Sequence, residues 1–523
     1  MDAKTLERLY AKDILSHACR AQNDNLYCGS NYRALGTFLN ASALAPRTLP
    51  AVPGFIHINR RIISDDEDNV KDLNTVDEFR ATQGGQCESK ETAQVIFVRG
   101  FSSPDWICAL GAGLRIDPEF FRRHLHFLEK KDYYDLPATR SSSSNLIRIR
   151  ITSIFLRQVP ISQTHIKSLR RDEALRLKKH QRAANRIGQS IVRRFSIHNE
   201  QIYTLEQDIA ITCKRNQGGW TALVWSDIGH SSNGNGPWSR SSHGTPDECI
   251  PTLRHSSKIA LLGHESTSKT TNLRPNPDNN QQSASLLALH HGPHKEMRLS
   301  RSSPFFALSG LFLFAVSAEN QFLNMVQACI DECVQKQSLN QRISSETLDY
   351  EKRLLNDHIK HARDLIQIIE AWGDSSWPRA PESLPQADHD QADAMRKGLI
   401  ADFTFLLQKA EYMVGQCSEG VAYIANAAML QESRNATEQA HSVHRLTLAA
   451  FFFLPLSLTT LLFGMNFVEF GAGTLKIWIF FVVMVPILVL SVVICFWDRI
   501  GSWAARFRVR RNGRKYDSEF SLP

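Results

Sequence analysis

The residues best placed to do chemistry lie on one face of an uncharged run, residues 446–466. Asn466 closes the run, and steps of three to five residues back from it select one face. This face has Leu461, Ser457, Leu454, Ala450 and Leu446 in the run and Val443 just before it. Around an axis this face would form a mostly apolar constriction that gates by dewetting, with one hydroxyl at Ser457. The same residues could instead pack one helix on another, and periodicity alone favours packing.

The length of this run indicates a membrane span. A helix over these residues would be about 30 Å long, the thickness of the hydrocarbon core of a bilayer. A second apolar run, Ile477–Trp497, follows closely, and tryptophans near both of its ends lie where interfacial aromatic residues belong. We therefore predict a two-helix membrane domain over 446–497, with spans at about 446–463 and 477–496.

Charge around the two runs predicts the orientation. The connecting loop contains one acidic residue, Glu469, with Lys476 at its edge. Arg445 precedes the first span, and a basic tail, 498–523, follows the second. Because positive residues are enriched on the cytoplasmic side, we expect both termini in the cytosol. The first residues lack the apolar core of a signal peptide, and we take the plasma membrane as the location.

Composition argues against several classes of protein. The ten cysteines of the 523-residue chain are scattered without a CxxC pair, which favours a reducing compartment. Much of the net charge of +8 lies in the tail beside the second span, which indicates membrane lipids rather than nucleic acid as partners. We find no nucleophile elbow, zinc signature or nucleotide loop in a suitable context, so we predict neither an enzyme nor a bound cofactor.

The chain before residue 446 has the character of a soluble protein. Residues 1–90 form a polar N-terminal segment, and an α/β domain is predicted over 91–303. Its signals are a buried strand in AQVIFVRGF, a half-buried strand in LIRIRITSIFL and a β-hairpin around Asn216–Gly219. A helix is predicted to start at Asp117-Pro118-Glu119. Residues 231–302, rich in Ser, Asn and Gly, are predicted to be a disordered insertion.

Residues 304–445 are predicted to be a helical stalk. Pro304–Ala318 is apolar but only about 15 residues long, which suits a core segment better than a span. An amphipathic helix follows at Ser345–Trp372. A second, very long helix begins near Gln391 and runs into the membrane, which makes it roughly 90 Å long or more. Such a helix needs neighbours in its own chain or in other subunits to bury its apolar face.

The string ESRNATEQAHSVHRLTLAAFFFLPLSLTTLLFGMNF, with a second span close behind, resembles the CorA magnesium transport family in its fungal branch. Gly464, Met465 and Asn466 match the signature triplet of that family, and Pro455 matches the proline of its first span. PDWICALGAGLRIDPEFFRRHL and PFFALSGLFLFAVSAENQFLN are similar to segments of fungal members. The resemblance therefore covers most of the chain from about residue 93.

The resemblance implies an α+β cytosolic domain, a long helical stalk and two C-terminal membrane helices, assembled as a funnel-shaped homopentamer. Two spans in one chain cannot enclose a pore, but a ring of identical subunits can. It also implies that Gly464, Met465 and Asn466 form the outer mouth, where Glu469 could add negative potential. Mg²⁺ dehydrates reluctantly, so neutral amide and carbonyl oxygens at such a mouth could bind its water shell. Mg²⁺ would be the transported ion, with a possible regulatory role.

Two hypotheses compete with passive Mg²⁺ conduction. Transporters of Zn²⁺ and other divalent cations in the same superfamily share the triplet. Ala440 stands where bacterial members have an asparagine ring, and Phe463 replaces a common tyrosine. A membrane-anchored scaffold with a degenerate pore is therefore the alternative from another class. Regulatory metal sites in the family use acidic residues, but no local motif assigns them in this chain.

Overall fold

The computed structural model describes residues 2–20, 26–44, 52, 55–64, 68–84, 93–143, 145–183, 186–216, 219–230, 236–238, 247–254, 282–290, 297–335, 341–371, 384–464 and 476–495. The chain divides into two compact units, Met1–Val421 and Ala422–Pro523, and each is described by itself.

The first unit contains an eight-stranded mixed sheet. Its strands are β1 (Ile58–Ile63), β2 (Asp68–Leu73), β3 (Ala93–Arg99), β4 (Ile147–Leu156), β5 (Arg194–Ile197), β6 (Ile202–Asn216), β7 (Gly219–Ser226) and β8 (Glu248–Cys249). The order across the sheet is β2-β1-β3-β7-β6-β4-β8, and β5 pairs with β6. β3 and β7 are parallel, whereas the other described pairs are antiparallel.

The helices are α1 (Ala3–Ala18), α2 (Arg33–Leu44), α3 (Val76–Gly84), α4 (Pro104–Leu114), α5 (Pro118–His124), α6 (Arg140–Ser143), α7 (Gln163–Ala183), α8 (Leu287–His290), α9 (Met297–Ser302), α10 (Pro304–Gln335), α11 (Gln341–Glu370), α12 (Gln386–Phe463) and α13 (Trp478–Cys495). Short 3-10 turns occur at Ser30–Tyr32, His126–Leu128 and Ser283–Leu286. α12 continues from the first unit into the second, and α13 lies in the second.

Local signals explain where the central elements begin. The Ser103 hydroxyl accepts a hydrogen bond from the Trp106 N–H at 3.3 Å, and the Asp117 carboxylate accepts one from the Glu119 N–H at 2.8 Å. A proline occupies the first turn of both helices, where its missing N–H costs nothing. The predicted helix start at Asp117 is therefore confirmed.

The predicted strands are also present. β3 is buried along almost its whole length, and β4 alternates between buried and partly exposed residues in its first half. β6 and β7 pair antiparallel up to Asn216 and Gly219, which confirms the hairpin. Its two turn residues lie outside the described part of the chain.

Two apolar clusters hold helices against the sheet. The larger joins α1, α2, α4 and α5 to β1, β3 and β7, and includes Ile14, Leu39, Ile96, Phe121 and Trp225. The second joins α7 to β4, β5 and β6. Burial of these faces supplies most of the favourable free energy of folding.

The prediction of a separate N-terminal segment over 1–90 is wrong. β1 and β2 extend the central sheet, and α1 and α2 pack against α4. β1 carries Asn59, Arg60 and Arg61, which gave it a polar appearance. All three are buried, and the Arg60 guanidinium donates to Gln94 on the neighbouring strand at 3.1 Å.

The prediction of a disordered insertion over 231–302 is wrong for its described parts. Trp238 is buried among Phe195 and its neighbours, and Cys249 pairs with Phe155 in the sheet. Leu287 on α8 and Leu299 on α9 are buried as well. The reason is that single apolar residues within a polar sequence reach the core of the first unit. The rest of the segment lies outside the described residues.

The helical part of the first unit follows the prediction. The apolar half of α10 is a core segment, with Phe305, Phe306 and Phe312 buried. α11 buries its apolar stripe, and α12 runs unbroken for 78 residues. An ion pair between Arg363 and Glu411 joins α11 to α12 at 2.5 Å. The fold is α+β, with a long helix and an apolar C-terminal helix.

Candidate functional site

The candidate site lies on the last third of α12, in the second unit. α12 passes through Pro455 without a break, although proline cannot supply the backbone donor for the carbonyl one turn earlier. Nearby hydroxyls are satisfied within the helix, since Thr459 Oγ1 donates to the Pro455 carbonyl at 2.9 Å and Thr460 Oγ1 to the Leu456 carbonyl at 3.0 Å. A helix with its polar groups paired internally is what a bilayer requires.

The six predicted pore-lining residues share one open face of this helix. Leu446 is 77% exposed and Leu461 is 80% exposed, and the other four are exposed as well. These other four are Val443, Ala450, Leu454 and Ser457. At about 100° per residue, the six positions fall within about 80° of one another around the helix axis. We call this the open face.

The opposite side of the helix is the packed side. Leu448, Pro455, Leu456 and Phe463 are partly buried there, and Thr459 is fully buried. The mean direction of this side lies roughly 170 to 190° from that of the open face. Packing within the second unit therefore uses other residues than the six. The open face stays available to another chain or to an axis.

A contact between aromatic rings links α12 to α13. The rings of Phe463 and Phe480 meet edge to face, with centroids 5.9 Å apart. Phe463 therefore acts as a packing residue at the end of α12, which gives a reason for an apolar ring rather than a tyrosine here. Both helices are apolar throughout this stretch, so the pair presents a hydrophobic outer surface.

α12 ends at the predicted mouth. Gly464 has φ +41, in the left-handed region, and its N–H donates to the Thr460 carbonyl at 2.9 Å. Glycine enters this region without the steric cost that a Cβ brings, so it suits a helix end. Met465, Asn466 and Glu469, the other predicted mouth residues, lie outside the described residues, so their placement stays a prediction.

A second group of functional candidates, which sequence reasoning missed, lies in the first unit. His358 on α11 is buried between two carboxylates. Its Nδ1 lies 2.8 Å from Glu319 on α10, and its Nε2 lies 3.6 Å from Glu206 on β6, an ion-pair distance rather than a hydrogen bond. Burial alone lowers the pKa of His358, but the two carboxylates outweigh it and raise the pKa to about 10. A charged imidazolium thus joins two helices to the sheet.

Arginines continue this buried network along the sheet. Arg150 on β4 bonds Glu206 at 2.9 Å and Asp208 at 3.2 Å. Burial raises the pKa of Glu206, but the nearby imidazolium of His358 and the charge of Arg150 outweigh burial and lower it to about 2. The Arg150 N–H, on a strand edge, donates to His361 at 2.9 Å. The alternation of arginine on β4 opposite acids on β6 was the available signal.

No group of three or more His, Cys, Asp or Glu side chains in the described ranges is arranged to hold a metal ion. The buried acids Glu206, Asp227 and Glu351 of the first unit are paired with arginine or histidine instead. The regulatory metal sites implied by the resemblance therefore gain no assignment from the described residues.

Among the helices of the described residues, length and hydropathy single out two as able to cross a membrane. In α10, 56% of the most apolar 18-residue stretch is buried, whereas in α12 only 6% of the corresponding stretch is buried. α13 is apolar but shorter. The burial of α10 accounts for its apolar residues, so the exposed end of α12 is the stronger candidate for a membrane span.

Comparison with known proteins points to one family. A family model described as a CorA-like Mg²⁺ transporter protein matches residues 320–497. The full-length CmaX protein shares 13% identity at a TM-score of 0.33, covering 87% of this chain and 98% of that one. The CorA magnesium transporter of Methanocaldococcus jannaschii shares 11% identity at a TM-score of 0.35, covering 84% and 97%.

The comparison with curated proteins gave no match. The two structural similarities are too low to carry an argument, so the assignment rests on the match over α10 to α13. That match contains the open face, the Gly464 helix end and both apolar helices of the second unit. Residues 320–497 are therefore a CorA-like Mg²⁺ transporter domain.

Proposed function

We propose that this chain transports divalent metal cations across a membrane, with Mg²⁺ as the first candidate. Conduction is passive, through a pore formed by a ring of identical subunits and lined by the open face of α12. The observation that carries the proposal is that this face is uncharged and exposed, whereas the partly buried residues of the same stretch lie on the opposite side of the helix. The family match over the same residues supports Mg²⁺ as the first candidate among divalent cations.

The proposed mechanism needs no chemical step. Asn466 amides and Gly464 carbonyls at the outer mouth accept hydrogen bonds from the water shell of the ion, and Glu469 adds negative potential. The apolar turns of α12 below the mouth control the hydration of the pore, so the pore conducts ions when water fills it. A potential of 100 mV supplies about 4.6 kcal/mol for two charges, at about 2.3 per charge. The ring is a homopentamer in this proposal, with both termini cytosolic and the plasma membrane as its location.

Ion entry into sealed vesicles tests the proposal. The full chain is reconstituted with a Mg²⁺-sensitive dye inside, and Asn466→Ala is compared with the unsubstituted chain. Removing several hydrogen bonds worth about 1 kcal/mol each is expected to slow entry about tenfold or more. Asn426→Ala is the matched control, since Asn426 is an exposed asparagine on the same helix, before the first span.

Three outcomes separate the hypotheses. If Asn466→Ala slows Mg²⁺ entry and Asn426→Ala leaves it unchanged, the result supports the proposed role of Asn466 at the outer mouth. Faster entry of Zn²⁺ than of Mg²⁺ at equal concentration would favour the other divalent transporters. If no divalent ion enters with the unsubstituted chain, the transport proposal fails and the scaffold with a degenerate pore takes its place.

A further inference from the structure

A small cavity lies at one end of the sheet in the first unit, where the parallel strands β3 and β7 finish together. Arg99 is the last residue of β3, Ser226 is the last of β7, and the two are partners in the sheet. Ser285 and Leu287 line the cavity from the segment 282–290. The carboxyl ends of parallel strands are a common place for ligands to bind.

The size of the cavity limits what it can hold. The space open to the centre of a water-sized sphere is about 10 Å³, which is room for about one water. Its walls are largely apolar and include Phe97, Ile209 and Leu287. The occupant is therefore a single water or a monatomic ion, because phosphate and carboxylic acids are too large.

Three side chains on the walls can donate hydrogen bonds, and none of the described residues that line the cavity is acidic. Ser285 is 5% exposed, and its hydroxyl has no hydrogen-bond partner among the described residues. The Ser226 hydroxyl accepts from the Ile228 N–H at 3.2 Å, so its own hydrogen remains to be donated. The third donor is the guanidinium of Arg99. This set of groups suits an acceptor of hydrogen bonds.

The charge of Arg99 has little compensation. Its guanidinium lies over the ring of Phe55, 4.5 Å from the centroid, and no carboxylate in the described ranges forms an ion pair with it. Burial lowers the pKa of Arg99, and the charge of the exposed Asp72 offsets only part of this effect. A partly buried cation that lacks a counter-charge favours an anion beside it.

We propose that this cavity binds one small monovalent anion, chloride in solution, between the Arg99 guanidinium and the hydroxyls of Ser226 and Ser285. The anion accepts hydrogen bonds from all three groups and balances the charge of the arginine, whereas a water leaves that charge unbalanced. It also joins the segment 282–290 to the ends of β3 and β7. The inference does not rest on the proposed function, because chloride binding requires no transport.

Chloride NMR of the full chain in detergent tests the site. Gluconate, which is too large for the cavity, keeps the ionic strength constant, and chloride that exchanges with the site is expected to broaden the chloride signal. Arg99→Gln is expected to weaken binding about tenfold or more and Ser285→Ala about fivefold, since each removes donors. Ser300→Ala is the matched control and should leave the affinity unchanged. The Ser300 hydroxyl is also buried and without a partner among the described residues, but it does not line the cavity.

Amide hydrogen exchange adds a readout at the segment itself. The Ser285 N–H donates to the Gln282 carbonyl at 2.9 Å, and its exchange should be about threefold slower in chloride than in gluconate if the anion holds this segment. In Arg99→Gln the two salts should give equal exchange.

Equal chloride affinity in the unsubstituted chain, Arg99→Gln and Ser285→Ala would overturn the site and assign a water to the cavity. Should Arg99→Gln fail to fold, the comparison of Ser285→Ala with Ser300→Ala decides, because each of these variants removes a single hydroxyl.

Discussion

The two units place similar apolar helices in opposite surroundings. In α10 of the first unit, Leu311 and Phe312 are fully buried by the rest of the unit. In α12 of the second, Leu446 and Leu461 are almost as exposed as free side chains. Large apolar patches of this kind mark contact with lipid or with another chain. Composition therefore identifies an apolar helix, but burial within the chain decides which apolar helix must be covered by lipid or by another chain.

Charge follows the same division. The first unit buries several carboxylates beside cationic side chains, as it does Asp227 beside Arg193 at 2.6 Å. The second unit leaves its four charges on α12 exposed. Buried pairs resist solvent screening, whereas exposed charges act at a distance and respond to salt. One unit therefore uses charge to hold elements together, whereas the other leaves its charges exposed on α12.

The largest expected effect comes from removing the cation that joins the buried network. His358→Ala leaves Glu206 and Glu319 facing each other without the imidazolium, at an expected cost of about 3 to 5 kcal/mol of unfolding free energy. Urea unfolding of the full chain in detergent, followed by tryptophan fluorescence, measures it. His441→Ala, on an exposed part of α12, is the matched control and should change stability by less than about 0.5 kcal/mol.

The same residue predicts a pH dependence. The folded pKa of His358, about 10, lies above its ordinary value of 6.5, so the folded state binds the proton more tightly. Its contribution is fully present below pH 6.5 and is lost as the pH rises toward 10, by up to about 1.4 kcal/mol per pH unit. His358→Gln should flatten the unfolding free energy in this window. An unchanged slope in that variant would assign the pH dependence elsewhere.

A matched leucine pair tests the contrast between buried and exposed apolar surface. Leu311→Ala removes a fully buried side chain and should cost about 2 to 5 kcal/mol, because a cavity remains. Leu461→Ala removes an 80% exposed one and should cost less than about 0.5 kcal/mol. Denaturant midpoints in detergent compare the two. Equal shifts would mean that Leu461 is buried by a neighbouring subunit under those conditions.

Sequence patterns predicted the elements whose signals are local. β3, the hairpin of β6 and β7, the capped start of α5 and the course of α12 from about Gln391 all follow from periodicity, caps or turn residues, although α12 begins five residues earlier, at Gln386. β1 was missed because the burial of Arg60 depends on Gln94, 34 residues away in the chain. Trp238 and Cys249 were missed because isolated apolar residues have no period to detect.

The residues of the open face could also be predicted from the sequence, but for a different reason than the strands and helix starts. An unbroken helix fixes the angle between any two of its residues, so the open face follows from spacing alone. Its packed side could not be predicted, because the contact of Phe463 with Phe480 depends on how α13 turns back. The His358 network joins residues 206, 319 and 358, which only the tertiary fold brings together.

The smallest expected effect comes from two glycines on α12, one in each unit. At Gly415, an added Cβ would meet no atom within 4 Å, so Gly415→Ala should stabilise the helix by about 0.5 to 1 kcal/mol. At Gly464, φ is +41, so Gly464→Ala should destabilise the last turn by about 1 kcal/mol.

Amide hydrogen exchange measures the effect of each substitution at its own position in the helix. The Gly464→Ala change should speed exchange of the amide bonded to the Thr460 carbonyl about fivefold, whereas exchange near residue 415 should slow in Gly415→Ala. Slower exchange in both variants would mean that the helix continues past residue 464, and the turn into the mouth would then begin later than the backbone of Gly464 indicates.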